Sequence, residues 1–200
     1  MTCKLVDYFL APVSPWTYLG HDRFVAIARH HGADIDVKPI DTGRVFAASG
    51  GLPLKQRAPQ RQAYRLVELA RWSKYLGIPL NLHPVHFPVS GDLASRWILA
   101  ASEAGIDEAL AFVGGIGRAI WAEQRNIADA GTLADIARAL GLDAAAIGSR
   151  ADAAEIGSRY DALTQEAIDR GVFGVPTYFC AGEPFWGQDR LDFLDRALAE

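Results

Sequence analysis

Residues 4–19, KLVDYFLAPVSPWTYL, decide the fold of this chain. The run from Lys4 to Leu10 is short and apolar with an aromatic pair, which is typical of a buried β-strand. Ser14-Pro15 then predicts a helix start, because a serine hydroxyl caps a helix and proline suits the first helical position. This stretch therefore predicts a strand that leads directly into a helix N-terminus.

A second strand follows the predicted helix, which extends to His31 and ends at Gly32. Ala33 to Ile40 alternates in polarity in the way a strand does. A strand, a helix and a strand without a hairpin turn predict a right-handed crossover with parallel pairing.

The rest of the chain divides into a helical block and a second strand region. We expect residues 42–59 to be an irregular loop that carries function. Apolar residues then recur at helical spacing through residues 60–171. Two short strands, Val175–Ala181 and Glu183–Trp186, are separated by Gly182 in a predicted hairpin, and Gln188–Ala199 predicts a closing helix.

The element order predicts an α/β protein with a thioredoxin-like fold and an inserted all-helical domain. Residues 1–59 and 172–200 are expected to form the thioredoxin-like domain, between the halves of which residues 60–171 are inserted.

Composition and charge narrow the function classes. The 200 residues carry a net charge of −4 and no run of basic residues, so we expect no nucleic-acid partner. We find neither a signal peptide nor an apolar run long enough for a membrane span, and we therefore expect a cytoplasmic protein without a membrane partner. In that compartment Cys3 and Cys180 are expected to be buried, reduced thiols.

The chemistry expected at the first helix depends on two hydroxyl residues. Thioredoxin-like oxidoreductases place Cys-Pro-x-Cys at this helix start, where partial positive charge stabilises a thiolate. Here Ser14 and Thr17 occupy both cysteine positions, which excludes a dithiol–disulfide cycle at this site. What remains is an anion site suited to a thiolate brought by another molecule. The alternative is that Ser14 only caps the helix.

A second motif, Gly174-Val175-Pro176-Thr177, enters the third predicted strand. In thioredoxin-like folds the residue before this proline forms a cis bond and exposes its backbone N–H and C=O groups. Those groups pair with the backbone of a bound cysteinyl unit. The alternative is an ordinary proline at the start of a strand.

The third motif, residues 185–191, opens the last predicted helix. Asp189 either caps that helix or binds a ligand ammonium, while free N–H groups of the helix start bind a carboxylate. A γ-glutamyl head presents both charges on one carbon and complements such a site.

With these motifs the chain resembles the 2-hydroxychromene-2-carboxylate isomerase family, which is similar to kappa-class glutathione transferases and to DsbA-like disulfide oxidoreductases. The resemblance extends essentially end to end. It depends on the sequences Ser14-Pro15-Trp16-Thr17-Tyr18-Leu19, Arg71-Trp72, Tyr75-Leu76-Gly77-Ile78-Pro79-Leu80, Gly171-Val172-Phe173-Gly174-Val175-Pro176-Thr177 and Phe185-Trp186-Gly187-Gln188-Asp189-Arg190-Leu191.

The resemblance implies glutathione as a cofactor and assigns it binding residues. Ser14 would be the catalytic residue, hydrogen-bonded to the glutathione sulfur, and Val175 with Pro176 would dock the cysteinyl unit. The family often has an asparagine for the glycyl end of glutathione, and Lys55 is the candidate here. The implied γ-glutamyl pocket consists of Trp186, Gly187, Gln188 and Asp189.

The same resemblance places His86 near the organic substrate, with an ordinary loop histidine as the alternative. His83 and His86 also have the spacing of a metal pair, but we find no third ligand and expect no metal.

The function implied is isomerisation of a 2-hydroxychromene-2-carboxylate-type substrate to a trans-benzylidenepyruvate-type product in aromatic catabolism. The partners implied are a small aromatic substrate and a second copy of the chain in a homodimer. A kappa-like glutathione transferase and a non-catalytic thiol- or peptide-binding protein remain alternatives.

Overall fold

The computed structural model describes residues 4–200, and a four-stranded mixed sheet lies at its centre. The strands are β1 (Leu5–Leu10), β2 (Asp34–Pro39), β3 (Thr177–Cys180) and β4 (Glu183–Trp186). Their order in the sheet is β2-β1-β3-β4. The pairing of β1 with β2 is parallel, as predicted, and β3 is antiparallel to both β1 and β4.

Helices make up most of the remaining described chain. The α-helices are α1 (Pro15–His30), α2 (Thr42–Ser49), α3 (Pro59–Leu76), α4 (Asp92–Ser102), α5 (Ile106–Trp121), α6 (Ala130–Ala139), α7 (Ala144–Ala151), α8 (Ala154–Asp169) and α9 (Leu191–Ala199). Short 3₁₀ turns cover Leu54–Gln56 and Gln188–Arg190. The α/β class and the helical insertion between the two strand pairs are therefore confirmed.

The side chains of β1 alternate between the two faces of the sheet, and a hydrophobic core lies on each face. Tyr8 packs against Phe24 of α1 and Tyr178 of β3, with ring centroids 4.6 and 5.3 Å away. The same core continues into the buried residues of α4 and α5. Phe9 points to the opposite face, where it packs with residues of α2 and α8, including Val45. The helices inserted between β2 and β3 thus cover both faces of the sheet. The division into two domains stays a prediction.

The prediction of an irregular segment is wrong for residues 42–49, which form α2. The Asp41 carboxylate accepts hydrogen bonds from the N–H groups of Gly43 and Arg44, and this caps the helix. The helix ends at Gly50, whose φ of 75° is a conformation that glycine adopts without strain. Gly50 therefore ends a helix, and the residues before it are not an irregular loop.

The prediction for Cys180 is confirmed in part. Cys180 is buried, but it is disulfide-bonded and not reduced. The prediction considered only compartment, whereas the antiparallel pairing of Val6 with Cys180 brings the beginning of β1 beside this cysteine. Cys3 lies outside the described residues.

Residues 4–200 contain neither a candidate membrane span nor a candidate metal cluster. No helix in this range has the length and apolar character needed to cross a membrane. The same residues contain no group of three or more His, Cys, Asp or Glu side chains placed to hold a metal ion.

Candidate functional site

A cleft of about 870 Å³ opens beside the N-terminus of α1. The first turn of α1, the segment from α2 to α3 and the ends of β3 and β4 form its walls. Its lining includes aromatic, basic and backbone-exposing residues, namely Trp16, Phe46, Gly50, Gly51, Leu52, Arg57, Ala58, Gln60, Arg61, Tyr64, Arg65, Glu68, Trp72, Phe173, Val175, Trp186, Gly187, Gln188, Asp189 and Arg190. The predicted docking and γ-glutamyl segments thus meet in one place.

Ser14 caps α1 and lies two residues before Trp16 of the cleft. Its Oγ accepts a hydrogen bond from the Thr17 N–H at 3.2 Å, as the sequence predicted. Ser14 is only 8% exposed and is not itself among the lining residues. Within residues 4–200 its hydroxyl proton has no acceptor, and the buried Thr17 Oγ1 has no hydrogen-bond partner. The helix start therefore holds two hydroxyl groups with unused hydrogen-bonding capacity.

The Val175–Pro176 peptide bond is cis, as predicted. In the described part of the chain the backbone N–H and C=O of Val175 form no hydrogen bond, although Val175 lines the cleft. The carbonyl of Pro176, by contrast, accepts from the Gly187 N–H at 2.9 Å. The cleft wall therefore presents one unpaired peptide edge, which is what an extended ligand backbone requires.

An aromatic pair continues this wall beyond β4. Trp186 contacts Phe173 edge to face, with the two ring centroids 4.6 Å apart, and each side chain remains about half exposed. Gly174 allows the close approach of the indole, since a Cβ there would lie 2.5 Å from Trp186 Nε1. Gly187 has a φ of 104°, which directs its N–H to Pro176.

Gln188 and Asp189 differ in what their side chains do. The side chain of Gln188 is buried, and its Oε1 accepts a hydrogen bond from Arg23 of α1 at 3.2 Å. The Gln188 backbone carbonyl also accepts a hydrogen bond from Arg23, at 3.4 Å, so Gln188 fixes this segment to α1. The Asp189 carboxylate remains partly exposed and pairs with Arg190 at 2.8 Å. A ligand ammonium at Asp189 would share the carboxylate with this guanidinium.

Lys55 and His86 are not brought into the cleft wall. Lys55 is exposed on the first 3₁₀ turn, and His86 is exposed in the loop before α4. Neither is among the lining residues. Their assignments to glutathione and substrate stay predictions that the cleft geometry does not favour.

Sequence reasoning missed the wall contributed by α3 and the segment before it. Arg57, Arg61 and Arg65 are spaced four residues apart, as are Tyr64, Glu68 and Trp72, and all six line the cleft. Residues at this spacing share a helix face, so the pattern was available in the sequence. Because these residues are polar or aromatic, they do not belong to the apolar periodicity that predicts core positions.

The arginine wall is electrostatically strained. Burial, followed by the charge of Arg57, lowers the pKa of Arg65 to about 10. Burial and the neighbouring Arg61 also lower the pKa of Arg57. The acidic residue of this wall, Glu68, pairs with Arg71 at 2.6 Å. The site therefore presents positive charge at one wall and a partly exposed carboxylate, Asp189, at another.

Comparison with known proteins gives concordant results. Residues 5–199 match the DSBA-like thioredoxin domain family. A 2-hydroxychromene-2-carboxylate isomerase of Sphingobium xenophagum is 32% identical over 98% of this chain and 99% of its own length. A Pseudomonas putida protein of the same name is 34% identical over 97% of this chain and 94% of its own length.

A solved structure extends this similarity to the backbone. The structure of a 2-hydroxychromene-2-carboxylate isomerase matches with a TM-score of 0.82 and 31% sequence identity. The match covers 98% of this chain and 94% of the other.

Proposed function

Because the chain belongs to the DSBA-like thioredoxin domain family, and within it to the 2-hydroxychromene-2-carboxylate isomerases, we propose that it is a glutathione-dependent isomerase of that kind. The proposed reaction converts a 2-hydroxychromene-2-carboxylate-type substrate to a trans-benzylidenepyruvate-type product in aromatic catabolism. Glutathione is the proposed cofactor and is not consumed. The proposal includes a cytoplasmic location and a homodimeric state.

The observation that carries this proposal is the serine hydroxyl at the N-terminus of α1, where thioredoxin-like oxidoreductases have a cysteine. A thioredoxin-like helix start without cysteine has no redox couple of its own. Ser14 Oγ receives the Thr17 N–H and keeps its own proton to donate, and the α1 N-terminus adds partial positive charge. This arrangement is suited to a sulfur anion that arrives with a ligand.

The residues of the cleft fit the rest of glutathione. The unpaired peptide edge of Val175 matches the backbone of a cysteinyl unit. Asp189 and the backbone of residues 186–188 are the proposed contacts for the γ-glutamyl head.

In the proposed mechanism the protein tunes and positions a borrowed nucleophile. Bound glutathione supplies a thiolate that attacks a conjugated carbon of the substrate and later leaves it. Ser14 lowers the pKa of a thiol held at its hydroxyl, because it donates a hydrogen bond to the charged form. Trp16 and Trp72 offer aromatic surface that excludes water from a bound aromatic ring.

A stoichiometric assay tests this function. Purified protein is mixed with 2-hydroxychromene-2-carboxylate and a small amount of glutathione, while substrate absorbance and free thiol are both followed. We expect many turnovers per glutathione molecule, no net loss of thiol and no turnover when glutathione is omitted. Glutathione alone is expected to raise the melting temperature, because it binds only the folded protein.

Other results would contradict the proposal in distinguishable ways. Loss of one thiol per product formed would indicate a kappa-like transferase. Binding of glutathione without any turnover would indicate a non-catalytic binder. Equal turnover without glutathione would refute the cofactor.

A further inference from the structure

Residues 187–190, here named the pocket segment, lie in close contact with the second turn of α1. Gly20 faces the pocket segment at this point, and a Cβ on Gly20 would lie 2.6 Å from the Gln188 Cβ and 3.3 Å from the Gln188 Cα. Any larger residue at position 20 would therefore push the pocket segment away from the helix. Alanine favours a helix more than glycine does, so helix formation does not account for glycine here.

Arg23, three residues after Gly20, binds the same residue of the pocket segment. Its Nη1 donates to the Gln188 side-chain oxygen at 3.2 Å and to the Gln188 backbone carbonyl at 3.4 Å. Gln188 is only 2% exposed, so water does not compete for these oxygens. Arg23 Nη2 lies 3.5 Å from the Asp192 carboxylate, but that side chain is 86% exposed and such an ion pair contributes little. The link between Arg23 and the pocket segment therefore depends on Gln188.

The pocket segment has a second attachment at its beginning. The Gly187 N–H donates to the Pro176 carbonyl at 2.9 Å, next to the unpaired peptide edge of Val175. The Arg190 N–H then closes the turn on the Gly187 carbonyl at 3.1 Å. A short turn is thus attached to the cis-proline on one side and to α1, through Arg23, on the other.

The helix that holds the pocket segment also carries Ser14 at its start. Arg23 follows Ser14 by nine residues, which is roughly 14 Å along a helix axis. Because a hydrogen-bonded helix does not stretch, the point where Arg23 holds Gln188 fixes the distance between the Ser14 hydroxyl and the backbone of residues 186–188.

We propose that Arg23 is a positioning residue, which anchors the pocket segment to α1 through Gln188 and thereby sets the affinity for the γ-glutamyl part of glutathione. The identity of the ligand rests on the proposed function, whereas the anchoring is a property of the free protein. Arg23 itself is not among the residues that line the cleft, so its effect on a ligand passes through Gln188.

Two related ligands test this role in the full-length protein. Glutathione and N-acetylcysteinylglycine share the cysteinyl and glycyl units, and only glutathione carries the charged γ-glutamyl head. Calorimetry on the wild-type protein is expected to show a preference for glutathione of roughly tenfold or more. Arg23→Gln is expected to reduce this preference by roughly threefold or more, while the affinity for N-acetylcysteinylglycine stays within about twofold of the wild-type value.

The control is Arg29→Gln, which removes the same charge from an exposed position of the same helix and is expected to keep the preference. In turnover, Arg23→Gln is expected to raise the KM for glutathione and to retain kcat at saturating glutathione, because Ser14 is unchanged. A parallel loss of affinity for both ligands in Arg23→Gln would indicate a general structural role and overturn the proposal. Equal affinity of the wild-type protein for both ligands, or an unchanged preference in Arg23→Gln, would also overturn it.

Hydrogen exchange in the free protein separates the anchoring from the identity of the ligand. The hydrogen-bonded amides of Gly187 and Arg190 are expected to exchange several-fold faster in Arg23→Gln, whereas Arg29→Gln matches the wild-type protein. Unchanged exchange in Arg23→Gln would overturn the anchoring. If the wild-type protein binds no glutathione but exchange is faster in Arg23→Gln, the proposed function fails and the anchoring stands.

Discussion

His21 is buried in α1 between the sheet and α5. Its Nε2 lies 2.9 Å from the Leu110 carbonyl oxygen, and its Nδ1 lies 3.3 Å from the Tyr8 hydroxyl. Burial lowers the pKa of His21 below its ordinary value of 6.5, although Asp22 and the bond to Leu110 oppose this shift. His21 therefore serves as a buried packing residue between the sheet and α5.

The lowered pKa of His21 predicts acid sensitivity. Below about pH 6.5 the unfolded chain takes up a proton that the folded protein resists, so the free energy of unfolding decreases as the pH falls. His21→Gln is expected to remove this part of the slope between about pH 7 and about pH 5, above the range of most carboxylates. Denaturant titrations at a series of pH values measure it, and an identical slope in both proteins would contradict the assignment.

Asp189 allows a second single-residue test. Asp189→Ala is expected to weaken glutathione binding by about 1 kcal/mol, because a ligand ammonium loses a charged acceptor that is partly solvated. Calorimetric titration measures the change, and Asp192→Ala, an exposed carboxylate in the next helix, is the control. An unchanged dissociation constant for Asp189→Ala would return this residue to a local role beside Arg190.

The outcomes for single residues show what sequence alone can supply. Capping by Ser14 is local chemistry between residues three apart, so its prediction was secure. The burial of Gln188 against Arg23 joins residues 165 positions apart, and no local pattern announces such a contact. The position of Lys55 outside the cleft wall could not be predicted for a similar reason, since the path of residues 50–57 depends on α2.

Among the elements, α8 is joined to the sheet by a group of buried charges. Lys38 of β2 donates to Glu166 of α8 at 2.7 Å and lies 3.2 Å from Asp7 of β1. Arg170, just after α8, pairs with Asp7 and Glu166 and packs over the Phe179 ring at 4.0 Å. Asp36 of β2 also lies 3.3 Å from Lys38, so two cations face three carboxylates in this partly buried group.

Removing one member of this group is expected to cost stability. Lys38→Met should lower the free energy of unfolding by roughly 1–3 kcal/mol, less than for an isolated buried pair because Arg170 still pairs with Asp7 and Glu166. Chemical denaturation measures the change, and Lys74→Met on the exposed face of α3 is the control. A Lys38→Met protein as stable as the wild type would mean that these charges do not stabilise the docking of α8.

The elements were predicted well where apolar periodicity or proline and glycine punctuation marked them. The parallel pair β1 and β2 and the hairpin of β3 and β4 followed from such signals. Helix α2 was missed because it buries little apolar surface, and its main signal is the Asp41 cap. A short helix with one buried residue leaves almost no hydrophobic pattern to detect.

In the whole molecule, residues of the inserted helices and of the sheet share one core, which includes Tyr8, Ile98 and Phe112. Sequence patterns predicted the order of the elements but not this shared packing, because contacts between distant segments have no signature in either segment alone. The cleft forms for the same reason only in the folded chain, from α1, the start of α3 and the end of β4.

The oligomeric state is a property of the whole molecule that the family resemblance predicts. We expect a homodimer, and light scattering across a range of protein concentrations measures the mass. A mass of one chain at all concentrations would refute this expectation without affecting the cleft.

The central claim is that Ser14 stabilises the thiolate of bound glutathione. Ser14→Ala removes one helix cap at a cost of about 0.5–2 kcal/mol and is expected to leave the fold intact. A hydrogen bond to the charged sulfur is worth roughly 1.5–3 kcal/mol, so its loss is expected to raise the pKa of the bound thiol by about one to two units. Thr17→Val removes the neighbouring buried hydroxyl and is the matched control.

The measurement is a titration of thiolate absorbance in the glutathione complexes of the wild-type protein, Ser14→Ala and Thr17→Val. We predict that Ser14→Ala alone raises the pKa of the bound thiol by about one to two units, with activity reduced at neutral pH and partly restored at alkaline pH. An unshifted titration with full activity at neutral pH in Ser14→Ala would contradict the account and leave Ser14 as a helix cap only.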